Sequence, residues 1–306
     1  MMTSSDPPTA SSPADPLRTG GLFRDERRAA YVFVLPALAL FGMFILAPTI
    51  ATFALSLFEW SGSGQVKFVG LQNYRIAFTG DAIFLKSLTN NVYYMLATLV
   101  VEVGFGLILA LMLDLKRRGY GVFRVLIFTP MTLSLTVIGL MWYFVFRPTT
   151  GLFSSPGPLG DESTALWALC VVSGWTYCGF YMVLFYAALQ GIPRELYEAA
   201  LIDGAGEVRR ILHISLPLLR ETTLVSVVLC VTGAFKAYDL FWVMTQGGPH
   251  HATEVVSTWL VRSAFSAEAA KMGYAAALAA IMTVLVLVAT FAYVLISRRS
   301  RAIEFS

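Results

Sequence analysis

The chain has 306 residues, 57% of them hydrophobic and only 13% charged, with a mean hydropathy of +0.69. A soluble domain carries roughly 25% charged residues, so this composition excludes an ordinary globular protein built on one buried core. The formal net charge of +3 is too small to call for a nucleic-acid partner.

The apolar residues fall into long runs, each able to cross about 30 Å of hydrocarbon as a helix of roughly 20 residues. Continuous runs, unlike alternating ten-residue stretches, favour helices over a transmembrane barrel. Residues 1–29 read as a disordered cytoplasmic tail rich in Ser, Pro and Asp, and residues 30–297 as one transmembrane domain. The first apolar run is too long, and its polar leader too extended, for a signal peptide. The predicted spans are residues 31–57, 89–113, 122–146, 164–189, 218–245 and 273–296, followed by a short cytoplasmic tail, residues 298–306. Pro36, Pro48 and Pro130 lie inside spans, and Ser173, Gly174 and Gly179 make the fourth the least regular. The fold class expected is therefore all-α, an integral membrane protein with six transmembrane helices.

Lys and Arg set the sidedness. The first tail (Arg18, Arg24, Arg27, Arg28), the second-to-third loop (Lys116, Arg117, Arg118, Arg124), the fourth-to-fifth loop (Arg194, Arg209, Arg210, Arg220) and the last tail (Arg298, Arg299, Arg301) carry most of them. The opposite side holds only Lys67, Arg75, Lys86, Arg147, Arg262 and Lys271. Both termini are predicted to be cytoplasmic.

Soluble-enzyme motifs are absent. No G-x-x-x-x-G-K-[ST] loop is present, so the chain itself is not expected to bind ATP, and H-E-x-x-H and G-x-S-x-G are missing too. Cys170, Cys178 and Cys230 sit in apolar spans, where cysteine acts as a small hydrophobe. The adjacent His250 and His251 read as solvated loop residues, and no metal site or cofactor is expected. Among the ionisable residues inside spans three stand out, Glu102, Lys236 and Asp239. Such residues are functional candidates because burying charge in lipid is costly. Lys236 and Asp239, three apart, fit either an ion pair on one helix face or groups lining a path.

The fourth-to-fifth loop, residues 190–217, is the most informative segment. Leu196, Ala199, Ala200 and Asp203 share one helical face, and Gly204 stands where a left-handed cap takes glycine. Glu195 and Glu198 suit the positive start of that helix. Val208, Ile211, Leu212 and Ser215 form a second face, and Pro217 opens the next span. Physics alone allows two readings, a compact knob for a partner or an interfacial helix on lipid headgroups.

Glu198, Ala199, Ala200, Gly204, Ile214, Leu216 and Pro217 match the spacing of the EAA loop of ABC importer permeases. Tyr238 and Asp239, then Gln246, Gly247, Gly248, Pro249 and Thr253, resemble the segment that follows the fifth core helix of sugar permeases. Phe68 to Tyr74 resembles the F-x-G-L-x-N-Y stretch of their first external loop. The chain thus resembles the MalF-like subunit of carbohydrate importers, with the MalF/MetI-like type I importer fold.

The resemblance implies a second, MalG-like permease subunit, two cytoplasmic ATPase subunits carrying ATP and Mg, an external or periplasmic binding protein, and a lipid bilayer, the cytoplasmic membrane of a bacterium or archaeon. It implies ATPase coupling through Glu198, Ala199, Ala200, Asp203, Gly204, Ile214, Leu216 and Pro217. Ser173 and Tyr177 fall near sugar-lining positions, and Lys236, Tyr238 and Asp239 complete the candidate path. Gly233, Ala234, Lys236 and Ala237 stand where the maltose importer has asparagines, which leaves the sugar open. A permease for another solute, such as glycerol phosphate, is the rival reading. An intramembrane enzyme is the distant one, since the spans hold no histidine and no paired catalytic set.

Overall fold

The computed structural model describes residues 31–115, 119–153, 156–266 and 270–303, with the backbone alone from residue 296. The predicted tail, residues 1–29, lies outside the described residues, as do Lys116, Arg117, Arg118 and residues 304–306. The chain divides into two compact units, Met1–Ala51 and Thr52–Ser306.

Helix α1, Tyr31–Leu55, is apolar throughout its length. Pro36 and Pro48 are accommodated within it, and a π-helical turn, Gly42–Leu46, precedes the second. Ser56 follows, and the chain turns into a hairpin of two two-residue strands, β1 (Phe58–Glu59) and β2 (Lys67–Phe68), paired Phe58 to Phe68 and Glu59 to Lys67. This hairpin is a small departure from the all-α expectation. Helix α2, Gln72–Thr79, is tied to it by Asn73, whose Nδ2 donates to the carbonyls of Ser56 and Phe58 at 2.8 and 3.0 Å. Tyr74 reaches the Ser56 hydroxyl at 2.7 Å. The 68–74 motif is therefore a fold determinant of this loop.

Helix α3, Ala82–Asp114, is longer than the predicted second span because Asp81 caps it, accepting from the amides of Ile83 and Phe84 at 2.9 Å each. The other oxygen of Asp81 accepts from Trp259 Nε1 (2.8 Å) and Tyr274 Oη (2.6 Å). One carboxylate thus fixes the start of α3 to two distant parts of the chain.

The predicted third span is not continuous. Helix α4, Tyr120–Thr132, and helix α5, Leu135–Phe146, meet at 96°. Pro130 has no amide hydrogen to continue the ladder. The α4 end tightens into a 3-10 turn, Thr129–Thr132, and Leu133 is extended. Helix α6, Glu162–Gln190, corrects the opposite doubt, since the fourth span is one unbroken helix of 29 residues. Asp161 caps it, and hydrogen bonds from Ser163 hold that carboxyl below the usual carboxylate range. Gly179 serves packing, not breakage. A Cβ there would strike the Ile127 carbonyl of α4. Small residues permit such close approach where lipid supplies no hydrophobic drive.

Helix α7, Arg194–Ile202, and helix α8, Glu207–Leu218, make up the fourth-to-fifth loop. Helix α9, Arg220–Lys236, leaves α8 at 66°, so the fifth span starts at Arg220, after Pro217. It also ends early. Ala237 is extended, Tyr238 has φ −132°, and helix α10, Asp239–Met244, follows. Helix α11, Val256–Phe265, lies in the fifth-to-sixth loop, and helix α12, Met272–Ile303, runs through the predicted start of the last tail. Four described helices are long and apolar enough to span a bilayer, and six spans result if each bent pair counts once.

The three loops predicted external meet at one end. Lys86 Nζ donates to the His250 carbonyl at 2.9 Å, His250 pairs with Glu162 at 3.0 Å, and the Gly273 amide bonds the Trp60 carbonyl at 3.1 Å. At the far end of α6, Gln190 donates to Asp114 Oδ1 at 2.8 Å, joining it to the end of α3. The core between these ends is formed by the inward faces of α3, α5, α6 and α10, with Tyr94, Ile138, Leu169, Val172 and Phe241 buried together.

Candidate functional site

The break after Lys236 leaves backbone groups that need partners inside an apolar region. Asn91 on α3, fully buried, supplies one and also holds the start of α11. Its Nδ2 donates to the Ala234 carbonyl at 3.0 Å, and its Oδ1 accepts from the Val256 amide at 2.8 Å. Ser257 donates to the Ala237 carbonyl. The neighbouring Asn90 donates to the Glu254 carbonyl at 2.9 Å. The carbonyls of Ala234 and Ala237, at the break, are thereby satisfied.

Beside this break lies a cavity of about 370 Å³, lined from α3, α6, α9 and the 237–240 segment. Ser173, Tyr177, Lys236, Tyr238 and Asp239 all line it, together with Glu102, Tyr94 and Tyr181. A polar chain crosses its wall. The Tyr94 hydroxyl lies 2.7 Å from Ser173 Oγ, and Ser173 Oγ donates to Glu102 Oε1 at 2.7 Å. Glu102 is 5% exposed and sits in a π-helical turn of α3, Leu99–Gly104, a local widening often found at functional sites. Tyr238 stacks on Trp242, with ring centroids 5.6 Å apart. Trp175 packs instead against Trp142 and does not line the cavity.

The ion-pair reading of Lys236 and Asp239 is corrected. The helix stops between them, so they do not share one helical face, and among the described residues no ion pair joins them. Both are exposed to the cavity. The fully buried carboxylate of this region is Glu254. It accepts from Thr258 Oγ1 at 2.7 Å and pairs with His251 at 2.8 Å, closing the Gln246–Pro249 loop. Thr253 and Thr245 share a hydrogen bond of 2.7 Å across the same loop, and Thr253 donates to the Gly248 carbonyl at 2.7 Å.

Asn90, Asn91 and Glu254 escape a search for charges inside spans. The adjacent asparagines in an apolar run were the available signal, because an amide in lipid demands partners. A second cavity, about 710 Å³, opens where the external-predicted loops meet, with Trp60, Asp81, Trp259, Arg262 and Tyr274 in its wall.

The fourth-to-fifth loop is a rigid arm. Helix α7 ends in a left-handed Gly204, φ +74°. The Ala205 amide bonds the Ala200 carbonyl at 2.8 Å and the Gly204 amide bonds the Leu201 carbonyl at 3.0 Å, the paired closure of a Schellman cap. Tyr197 on α7 meets Ser215 on α8 at 2.9 Å, locking the two helices. Glu195, not Glu198, occupies the first turn of α7; Glu198 lies one turn further in. Pro193 is the cap residue just outside the helix. Glu198, Ala199, Asp203, Gly204 and Pro217 are exposed, and Ala200, Ile214 and Leu216 half-buried. Ile202 (87% exposed), Val208 and Leu212 add an apolar surface to the arm.

Residues 102–302 match the model of the family described as "Binding-protein-dependent transport system inner membrane component". The chain is 40% identical over 271 residues to the probable ABC transporter permease protein YurN of Bacillus subtilis, covering 84% of this chain and 91% of that one. It is 31% identical over 242 residues to the trehalose/maltose transport system permease protein MalF of Thermococcus litoralis, covering 76% and 82%. A bacterial alginate ABC transporter, solved with an alginate pentasaccharide-bound periplasmic protein, has the same fold, with a TM-score of 0.79 and 20% identity over 91% of this chain and 97% of that one. The spacing in the fourth-to-fifth loop, the cavity on the broken fifth span and these matches agree: the chain belongs to the binding-protein-dependent transport system inner membrane components, the permease subunits of ABC importers.

Proposed function

We propose that the chain forms half of the path for a di- or oligosaccharide in an ATP-driven importer. The observation that carries this is the cavity itself. Ser173, Tyr177, Lys236, Tyr238 and Asp239, dispersed in sequence, line one space that offers hydroxyls, charges and aromatic faces together. Sugars are held by that combination of stacking and hydrogen bonds. Relatives named for trehalose/maltose and arabinooligosaccharides support the solute class.

A second, MalG-like permease subunit closes the other half of the path. Two cytoplasmic ATPase subunits hold ATP and Mg, and an external or periplasmic binding protein delivers the saccharide. The α7–α8 arm docks on an ATPase subunit through the faces carrying Glu198, Ala199, Ala200, Asp203 and Gly204, with Ile214, Leu216 and Pro217 at its root. The Schellman cap and the Tyr197–Ser215 bond stiffen the arm, so movement of the ATPases reaches the spans. The arm, the termini and the Lys/Arg-rich loops lie on the cytoplasmic side of a bacterial or archaeal membrane. Two carboxylates against one ammonium in the cavity speak against an anionic solute such as glycerol phosphate.

The test is uptake by the complete complex in proteoliposomes. Saccharide accumulation requiring both ATP and the binding protein is the expected result. Accumulation of glycerol phosphate, with no saccharide moved, would replace this reading.

A further inference from the structure

We infer that Glu102 sets the charge selectivity of the cavity, accepting a hydroxyl of a neutral saccharide and turning away saccharides that carry carboxylates. The inference rests on the saccharide-path reading above and deepens it.

Glu102 lines the cavity, yet its side chain is almost wholly removed from solvent. Oε1 accepts from Ser173 at 2.7 Å. The nearest donor to Oε2 is the Cys230 thiol at 3.9 Å, a weak and distant partner. A carboxylate offers about four lone-pair sites, so most of this group's accepting capacity is open. No cation pairs with it among the described residues. A buried carboxylate normally has its partners built in. Here the missing donor is one that an occupant of the cavity brings.

The chemistry of that occupant follows. A sugar hydroxyl donates to Oε2 without carrying charge. A uronic acid carboxylate would instead bring like charge into a site shielded from water, where repulsion is strong. Lys236 is the one cation in the lining, against the two carboxylates of Glu102 and Asp239. The arrangement Tyr94–Ser173–Glu102 fixes the carboxylate in place, so that it cannot swing away from an unwelcome anion.

A role limited to joining α3 and α6 needs the hydrogen bond to Ser173 but not the charge, and the test separates the two. Gly233 lines the same cavity, and a Cβ built there meets nothing within 4 Å. The complete complex carries Gly233→Cys, with Cys170, Cys178 and Cys230 replaced by alanine, and is labelled with a small maleimide in mildly alkaline buffer. The probes are a neutral trisaccharide and its uronic acid counterpart, each titrated for its ability to slow labelling.

With Glu102 present, the neutral trisaccharide protects Cys at 233, and the uronate needs at least about tenfold more. Glu102→Gln keeps an acceptor for Ser173 and brings the two probes to similar concentrations, while Glu102→Asp keeps the discrimination. Equal protection by both probes with Glu102 present overturns the inference, and that comparison needs no variant of Glu102. So does discrimination unchanged in an assembled Glu102→Gln complex. Protection by neither probe in any background contradicts the saccharide path itself, a result distinct from either of the others.

Discussion

The Ser173 hydroxyl donates to Glu102 Oε1 at 2.7 Å, bonding the two longest inner helices, α6 and α3, within the wall of the cavity. Ser173→Ala leaves the carboxylate without its main donor. The expected cost is about 1–2 kcal/mol of stability, read as a lower thermal midpoint of the purified complex. Ser173→Cys, a weaker donor, should fall between. An unchanged midpoint for Ser173→Ala would show that the bond contributes nothing measurable.

Asn91 ties the end of α9 to the start of α11, through the Ala234 carbonyl and the Val256 amide. Asn91→Ala strands two buried backbone groups and should cost about 2–3 kcal/mol. The predicted phenotype is a lower yield of assembled complex in detergent, with a larger drop than for an exposed asparagine substitution elsewhere. Equal yield would mean that the break is held by other contacts.

Gly204 at φ +74° closes α7, whereas Gly206 has φ −67°, open to any residue. Gly204→Val therefore carries a backbone cost of about 1–2 kcal/mol, and Gly206→Ala none of that kind. Gly204→Val should abolish uptake while the protein still reaches the membrane, with substrate-stimulated ATPase activity reduced to its basal rate. Gly206→Ala should transport. Normal uptake by Gly204→Val would remove the coupling role of the cap.

Lys236 and Asp239 have no mutual ion pair to lose. Lys236→Ala and Asp239→Ala should each assemble normally, while the saccharide concentration for half-maximal uptake rises. A double-mutant cycle scored for assembly should show no coupling above about 0.5 kcal/mol. Assembly lost in each single variant and recovered in the double would restore the pair.

Much of this was legible in the sequence because membrane spans and glycine caps are local signals. Gly204, Ala199 and Ala200 could be placed on a capped helix from spacing alone, and Ser173, Tyr177, Lys236, Tyr238 and Asp239 were singled out before they were seen to share one cavity. Two helix breaks were not legible. Hydropathy is blind to a bend, and Leu133–Ser134 and Ala237–Tyr238 lie inside runs that read as continuous spans. What permits the second is the hydrogen bonding of Asn91 and Ser257, contacts across 143 and 20 residues that no local pattern encodes. The same blindness worked in reverse at Gly174 and Gly179, where glycines that read as interruptions turned out to be points of close helix packing.

If the cavity on the broken fifth span is the saccharide path, an obstruction at Gly233 blocks uptake. Its Cβ position opens into free space within the lining, so Gly233→Trp places an indole in the cavity. The account predicts assembled complex in normal amount and ATP-driven oligosaccharide uptake reduced by at least about tenfold, a barrier increase of about 1.4 kcal/mol. Uptake at the unmodified rate, with the tryptophan in place, would contradict it.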